Sequence, residues 1–93
     1  MALDCEMVEV DKSDDAVARV SIVNYNGHII YDHYVRPLGK ITNFRTWVSG
    51  VTPAHMNKAK PYKEARADVH RILRGKTIVG HSLRHDFAVL DIR

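Results

Sequence analysis

Ala2-Leu3-Asp4-Cys5-Glu6-Met7-Val8 alternates apolar and acidic residues at period two, the pattern of a strand with one face in a core and the other in water. Leu3 and Cys5 then point inward. Asp4 and Glu6 leave the opposite face together, separated along the strand by about 6.6 Å at about 3.3 Å per residue. Two neighbouring carboxylates among apolar residues repel each other and resist burial, and a hard divalent cation relieves both problems. A solvent-facing Asp-x-Glu is common, so the pair alone defines no site.

Working outward, Lys12-Ser13-Asp14-Asp15 is a polar turn, Val17 to Tyr25 is rich in β-branched residues, and Asn26-Gly27 marks a hairpin before an extended run from His28 to Val35. Three strands joined by short turns predict an antiparallel meander. Residues 37–50 read as loop. Thr52-Pro53 can open a helix, with Thr as N-cap and Pro in the first turn. A clearer helix begins near Pro61: Ala65, Val69, Ile72 and Leu73 form one apolar stripe, and Gly75 can close it. Thr77-Ile78-Val79-Gly80 reads as a short buried strand, and Ser82 can cap a last helix bearing Leu83, Phe87 and Leu90 on one face. The predicted order is β-β-β-α-β-α, an α/β mixed sheet with the fourth strand parallel to the first.

Asp86 lies in the first turns of that last helix, immediately before Phe87 on the apolar stripe. This places its carboxylate at the edge of the inward face. A helix packed on the sheet brings Asp86 over the end of the first strand, where three carboxylates would suit two Mg²⁺ or Mn²⁺ ions.

The 93 residues allow one small domain, and the composition is that of a globular protein, 45% hydrophobic and 27% charged. A single cysteine excludes an internal disulfide and a Cys-based zinc site, and fits a reducing compartment. No apolar run approaches the length of a membrane helix, and the acidic opening residues are unlike a secretory signal. Charge is segregated. Residues 1–15 hold six acids against Lys12, whereas residues 36–76 hold ten bases against Glu64 and Asp68. Such asymmetry suits a protein that gathers cations in one place and phosphates in another, although uneven solvated charge would look the same.

Leu3-Asp4-Cys5-Glu6-Met7-Val8 resembles the first exonuclease motif of the DEDDh exonucleases, and within them the branch holding RNA exonuclease 4 and the interferon-stimulated 20 kDa exonuclease. The likeness continues through Ala18 to Tyr25, Tyr31-Asp32, Val35-Arg36-Pro37, Phe44 to Pro53 with His55-Met56, and Gly75-Lys76 with Val79 to Asp86, which resembles the second exonuclease motif. The resemblance covers nearly the whole chain.

It implies an RNase H-like fold and 3′→5′ hydrolysis of RNA, or of single-stranded DNA, in ribosomal RNA processing or RNA decay in the nucleus or nucleolus. It also implies Asp4, Glu6 and Asp86 as the catalytic metal ligands, Met7 as a contact to the terminal nucleotide and Arg45 as a ribose contact. The branch usually has glycines shortly after the first motif, where this chain has Val8-Glu9-Val10-Asp11. Its third motif, with a fourth aspartate and a histidine base, is not among these residues. The expectation is therefore a partial exonuclease domain over 1–93, cut short at its C-terminal side and inactive by itself. The competing expectation is a catalytically incomplete fragment that binds nucleic acid and cleaves nothing.

Other patterns read more plainly. Asp11-x-Ser13-x-Asp15 begins like a calcium loop but has Ala16 and Ile22 where Gly and Glu are required. His81 and His85 have a zinc spacing but no third ligand, and read as framework. Trp47 can stack on a base, but reads first as packing that holds its loop down. Lys63, Arg66, Arg71 and Arg74 read as the solvated side of an amphipathic helix.

Overall fold

The period-two stretch folds as the first strand of a five-stranded mixed sheet. The computed structural model describes residues 1–12, 14–80 and 83–91. Strands β1 (Ala2–Val10), β2 (Asp14–Val23) and β3 (Ile29–Arg36) form the expected antiparallel meander. Asp11 and Lys12 open the first turn with φ of 50° and 69°, the left-handed conformation that suits a tight hairpin. At the second turn the Asn24 side-chain oxygen accepts the N–H groups of Asn26 and His28, both at 3.0 Å. Gly27 there takes a φ of 85°.

The sheet order is β4-β1-β2-β3-β5, with β4 (Ile41–Asn43) antiparallel to the end of β1 and β5 (Lys60–Pro61) parallel to β3. Beyond β4 come a single helical turn, α1 (Thr46–Ser49), a 3₁₀ helix (Pro53–Lys58), α2 (Tyr62–Leu73) and α3 (Leu83–Val89). Residues 37–50 are thus more ordered than a loop. Elements of three and four residues are too short to show a period, so their pairing comes from tertiary contact. No helix among the described residues is long and apolar enough to cross a membrane.

Residues 77–80 depart from the expected buried strand. Only Val79 pairs, parallel to Ala2 as anticipated, through Leu3 N–H to Val79 O at 3.0 Å and Val79 N–H to Met1 O at 2.8 Å. Val79 is 57% exposed. Its β-branched composition signals extended backbone, but burial depends on what covers it, which local composition does not encode. The proposed Ser82 cap and the chain end at Ile92-Arg93 lie outside the described residues.

Two apolar clusters sandwich the sheet. Odd-numbered residues of β1 (Leu3, Cys5 and Met7) pack with Val17, Val20 and Ile22 under α2 and α3, whose Ala65, Val69, Leu73, Phe87 and Leu90 complete the cluster. Val8 and Val10 join Ala18, Val51, Phe44 and Met56 on the other face. A β-bulge reconciles the two strands: Glu6 pairs with Arg19 and Met7 with Val17, so Ala18 is the extra residue. That insertion is why Val17 shares a face with even-numbered Val20 and Ile22. Gly75, with a φ of 71°, turns the chain out of α2 while Lys76 N–H bonds Leu73 O at 3.0 Å.

Candidate functional site

Asp4 and Glu6 share the β1 face of Val8 and Val10, at the end the loop cluster does not cover. Asp4 is exposed and Glu6 half-buried. Beside them opens a pocket of about 290 Å³, lined by Asp4, Cys5, Glu6, Met7, Asp15, Arg45, Val48, Ser49, His85 and Asp86. Four consecutive strand residues can line one pocket only along the strand's edge, because alternate side chains leave opposite faces. That edge of β1 carries residue 79 at its start and β4 from Glu9 onward, and the pocket lies between them.

Asp86 reaches the pocket from α3 and is only 3% exposed. Helix α2 sets the position of α3 by capturing its last carbonyls: Tyr62 Oη donates to Val89 O at 3.0 Å, Arg66 Nε to Leu90 O at 3.2 Å, and His70 Nε2 lies 3.4 Å from Leu90 O. These bonds satisfy carbonyls that a helix end otherwise leaves without an intrahelical partner.

The electrostatics record three crowded negative charges. Burial raises the Glu6 carboxyl above its usual range, and the Asp4 charge raises it further against the opposing pull of Arg19. The buried Cys5 thiol is pushed up by desolvation, then by Asp86, then by Asp4 and Glu6. Hard carboxylate oxygens lining one pocket are the donor set that Mg²⁺ or Mn²⁺ takes, so the residues fit such ions in kind.

Asp4 and Glu6 lie on one face of β1, and of the neighbouring charges Asp86 acts first on Cys5, which points to the other, followed by Asp4 and Glu6. Among the described residues no three Asp, Glu, His or Cys side chains gather around one ion position. The three carboxylates share one pocket.

Across this pocket runs an ionic clasp. Asp15, at the start of β2, accepts from Arg45 Nη2 through Oδ1 and meets His85 Nε2 through Oδ2 at 3.1 Å. The Arg45 bond is the main cause that lowers the Asp15 carboxyl below its usual range. Arg45 itself sits at φ 48°, ψ 42°, a left-handed conformation that costs a non-glycine residue about 1–3 kcal/mol. Its N–H bonds Asn43 Oδ1 at 2.9 Å. Its buried Nε meets no hydrogen-bond partner among the described residues.

Met7 and Arg45 thus line the same pocket as the three carboxylates. Trp47 is a correction. At 88% exposure it packs nothing down. Its turn is held by Ser49 Oγ donating to Phe44 O at 2.8 Å, Val51 N–H to Ser49 Oγ at 3.0 Å and Thr46 Oγ to Val51 O at 2.6 Å. Of the basic helix residues, Arg66 holds α3 and Arg71 pairs with Asp68 at 2.9 Å. His85 belongs to the clasp, and His81 lies outside the described residues. Sequence reading missed Asp15, whose partners stand 30 and 70 positions away. No local pattern marks such a pair.

A family model described as Exonuclease matches residues 1–91. The chain is 52% identical to the interferon-stimulated gene 20 kDa protein of Mus musculus, across 97% of this chain and 30% of that protein. It is 47% identical to RNA exonuclease 4 of Debaryomyces hansenii, across 97% of this chain and 34% of that one. The Pan2 catalytic unit of Neurospora crassa, a protease and nuclease domain structure, superposes with a TM-score of 0.83 at 26% identity, covering 99% of this chain and 17% of its own. The chain therefore spans about a third of the length of these curated relatives.

Proposed function

The chain belongs to the exonuclease family, and from that premise we propose that it carries the first part of an active site that removes nucleotides from the 3′ end of RNA. The observation that supports this most directly is one pocket lined by Asp4 and Glu6 of β1 and by buried Asp86 of α3. These three carboxylates would hold Mg²⁺ or Mn²⁺. When bound, such ions supply Lewis-acid activation of water and stabilise negative charge on the leaving 3′ oxygen.

The remaining lining residues bind and orient. Met7 offers an apolar contact to the terminal nucleotide, and the Arg45 guanidinium a donor to its ribose or phosphate. Asp15 keeps Arg45 at the pocket mouth. Two relatives bear the names RNA exonuclease 4 and interferon-stimulated gene 20 kDa protein. RNA maturation or decay is the role this reading proposes.

The test uses the full-length gene product and 3′-labelled single-stranded RNA with Mg²⁺. Wild type should release labelled mononucleotide, and Asp4→Ala should abolish release while leaving thermal stability unchanged. Full Mg²⁺-dependent activity in Asp4→Ala would refute the metal assignment. A second reading, RNA binding without cleavage, draws on the surplus of ten bases over two acids across residues 36–76. RNA bound by wild type but never shortened would select it.

A further inference from the structure

Asp15 lines the same pocket as Asp4, Glu6 and Asp86 but differs from them in what its oxygens hold. Oδ1 accepts from Arg45 Nη2, and Oδ2 meets His85 Nε2 at 3.1 Å. A metal ion bound there would meet the like charge of the guanidinium. The chain reaches this arrangement through the irregularity in β2. Asp15 and Val17 are two residues apart and share a face, and Val17 packs in the cluster under α2 and α3. The extra residue Ala18 puts them there: with unbroken alternation from Val20 and Ile22, both would leave the opposite face. Bulges next to active sites re-aim side chains in this way.

Arg45 is anchored without being used up. A left-handed non-glycine residue persists only where its surroundings over-determine it. Here Asn43 Oδ1 fixes the Arg45 N–H at 2.9 Å, and Asp15 fixes the guanidinium. Among the described residues only Asp15 bonds that guanidinium, through the single nitrogen Nη2. Arg19 is the contrast. Asp32 takes its Nε and Nη2 at 2.9 and 2.8 Å, Ser21 Oγ braces the carboxylate at 3.0 Å, and the fork is spent inside the fold. Arg45 is held by one corner, which leaves its other terminal nitrogen for a ligand of the pocket it lines.

We infer that Asp15 is a positioning residue for RNA: braced by His85 of α3, it holds the Arg45 guanidinium in the orientation that binds the strand. A planar fork recognises phosphate or hydroxyl oxygens only when it is aimed, and aiming it beforehand removes an entropy cost from binding. One carboxylate thereby ties the substrate-binding side of the pocket to the helix that carries Asp86. The identity of the ligand rests on the exonuclease reading; the bracing of Arg45 does not. The sign of the effect separates a positioning acid from a bystander. A bystander at a phosphate-binding pocket would repel the strand, and its removal would tighten binding. A positioning acid predicts the opposite.

The experiment uses the full-length gene product and short single-stranded RNA in filter binding, with the 3′-terminal linkages made phosphorothioate to slow cleavage. Arg45→Ala should bind about 10- to 150-fold more weakly, the size of one hydrogen bond to a charged group. Asp15→Ala should lose about 3- to 30-fold of the same affinity, and the double variant should bind no more weakly than Arg45→Ala alone. In Asp15→Asn the amide still accepts from Arg45 and donates to His85, so its affinity should stay within about twofold of wild type. On unmodified RNA the KM of Asp15→Ala should rise while kcat at saturation holds. Mn²⁺ affinity, read by electron paramagnetic resonance, should match wild type.

RNA bound by Asp15→Ala as tightly as by wild type, or more tightly, would overturn the positioning role while leaving the proposed function standing. Losses that add in full in the double variant would do the same. A fall in Mn²⁺ affinity equal to that of Asp4→Ala would assign Asp15 to the metal site and overturn the role too. No RNA binding by wild type would overturn both.

Discussion

Gly80 joins the first strand to the helix that carries Asp86, and Gly80→Ala tests how tightly. A Cβ there would lie 2.5 Å from Leu3 O and 2.7 Å from Leu83 Cδ2. The leucine tip can rotate away. The Leu3 carbonyl cannot, because it belongs to β1, which Val79 bonds at Leu3 N–H and Met1 O. Relief requires residues 79–80 to lift from the strand, weakening both bonds. Overpacking together with two impaired backbone hydrogen bonds predicts a loss of about 2–4 kcal/mol, which in a domain this small lowers Tm by roughly 10–30 °C.

Thermal unfolding followed by circular dichroism measures it. A double-mutant cycle with Leu83→Ala separates the flexible contact from the rigid one. The Leu83 coupling should account for the smaller share. Because Leu3 precedes Asp4 and Leu83 opens α3, the shift also draws the carboxylate-bearing elements apart. RNA cleavage by the full-length product should therefore fall even at temperatures where the variant stays folded. An unchanged Tm would refute the close approach and the coupling built on it.

Asp68 binds Lys60 Nζ and Tyr31 Oη, both at 2.8 Å, and Arg71 at 2.9 Å, and the Lys60 bond leads in holding its carboxyl well below the usual range. A depressed folded-state pKa stabilises above the unfolded value near 3.9, and that stability is lost as pH falls toward the folded value. Asp68→Asn should therefore flatten the acid limb of a pH–Tm curve below about pH 4; an unaltered limb would contradict this. Tyr31→Phe, which removes one donor to that carboxylate, should cost about 1–2 kcal/mol in urea unfolding, and a neutral result would show the remaining partners suffice. The Asp15 clasp joins side chains each about a third or more exposed, so Asp15→Ala should cost less than about 2 kcal/mol. It should still weaken RNA binding by releasing Arg45, and equal affinity in filter binding would count against the clasp's role.

Much of this architecture was legible in residue order. Period-two alternation gave β1 and its inward Leu3 and Cys5, Asn26-Gly27 gave the turn into β3, and the stripe Ala65, Val69, Leu73 gave the buried face of α2. These are local patterns, repeated every two or three to four residues, so a single sequence displays them. The pairing of Asp4 with Glu6 on one face follows from the same geometry, and Asp86 at the edge of an apolar stripe is buried as that position requires.

Contacts between distant segments needed the folded chain. Asp15 reaches Arg45 and His85, α2 grips the end of α3, and Ala18 bulges to bring Val17 onto the face of Val20. Whether Trp47 packs or stands in water depends on what else covers its turn. Whether Asp86 converges with Asp4 and Glu6 depends on which side of β1 the helix approaches. Sequence spacing sets which face a side chain leaves; only the packing of separate elements sets what that face meets.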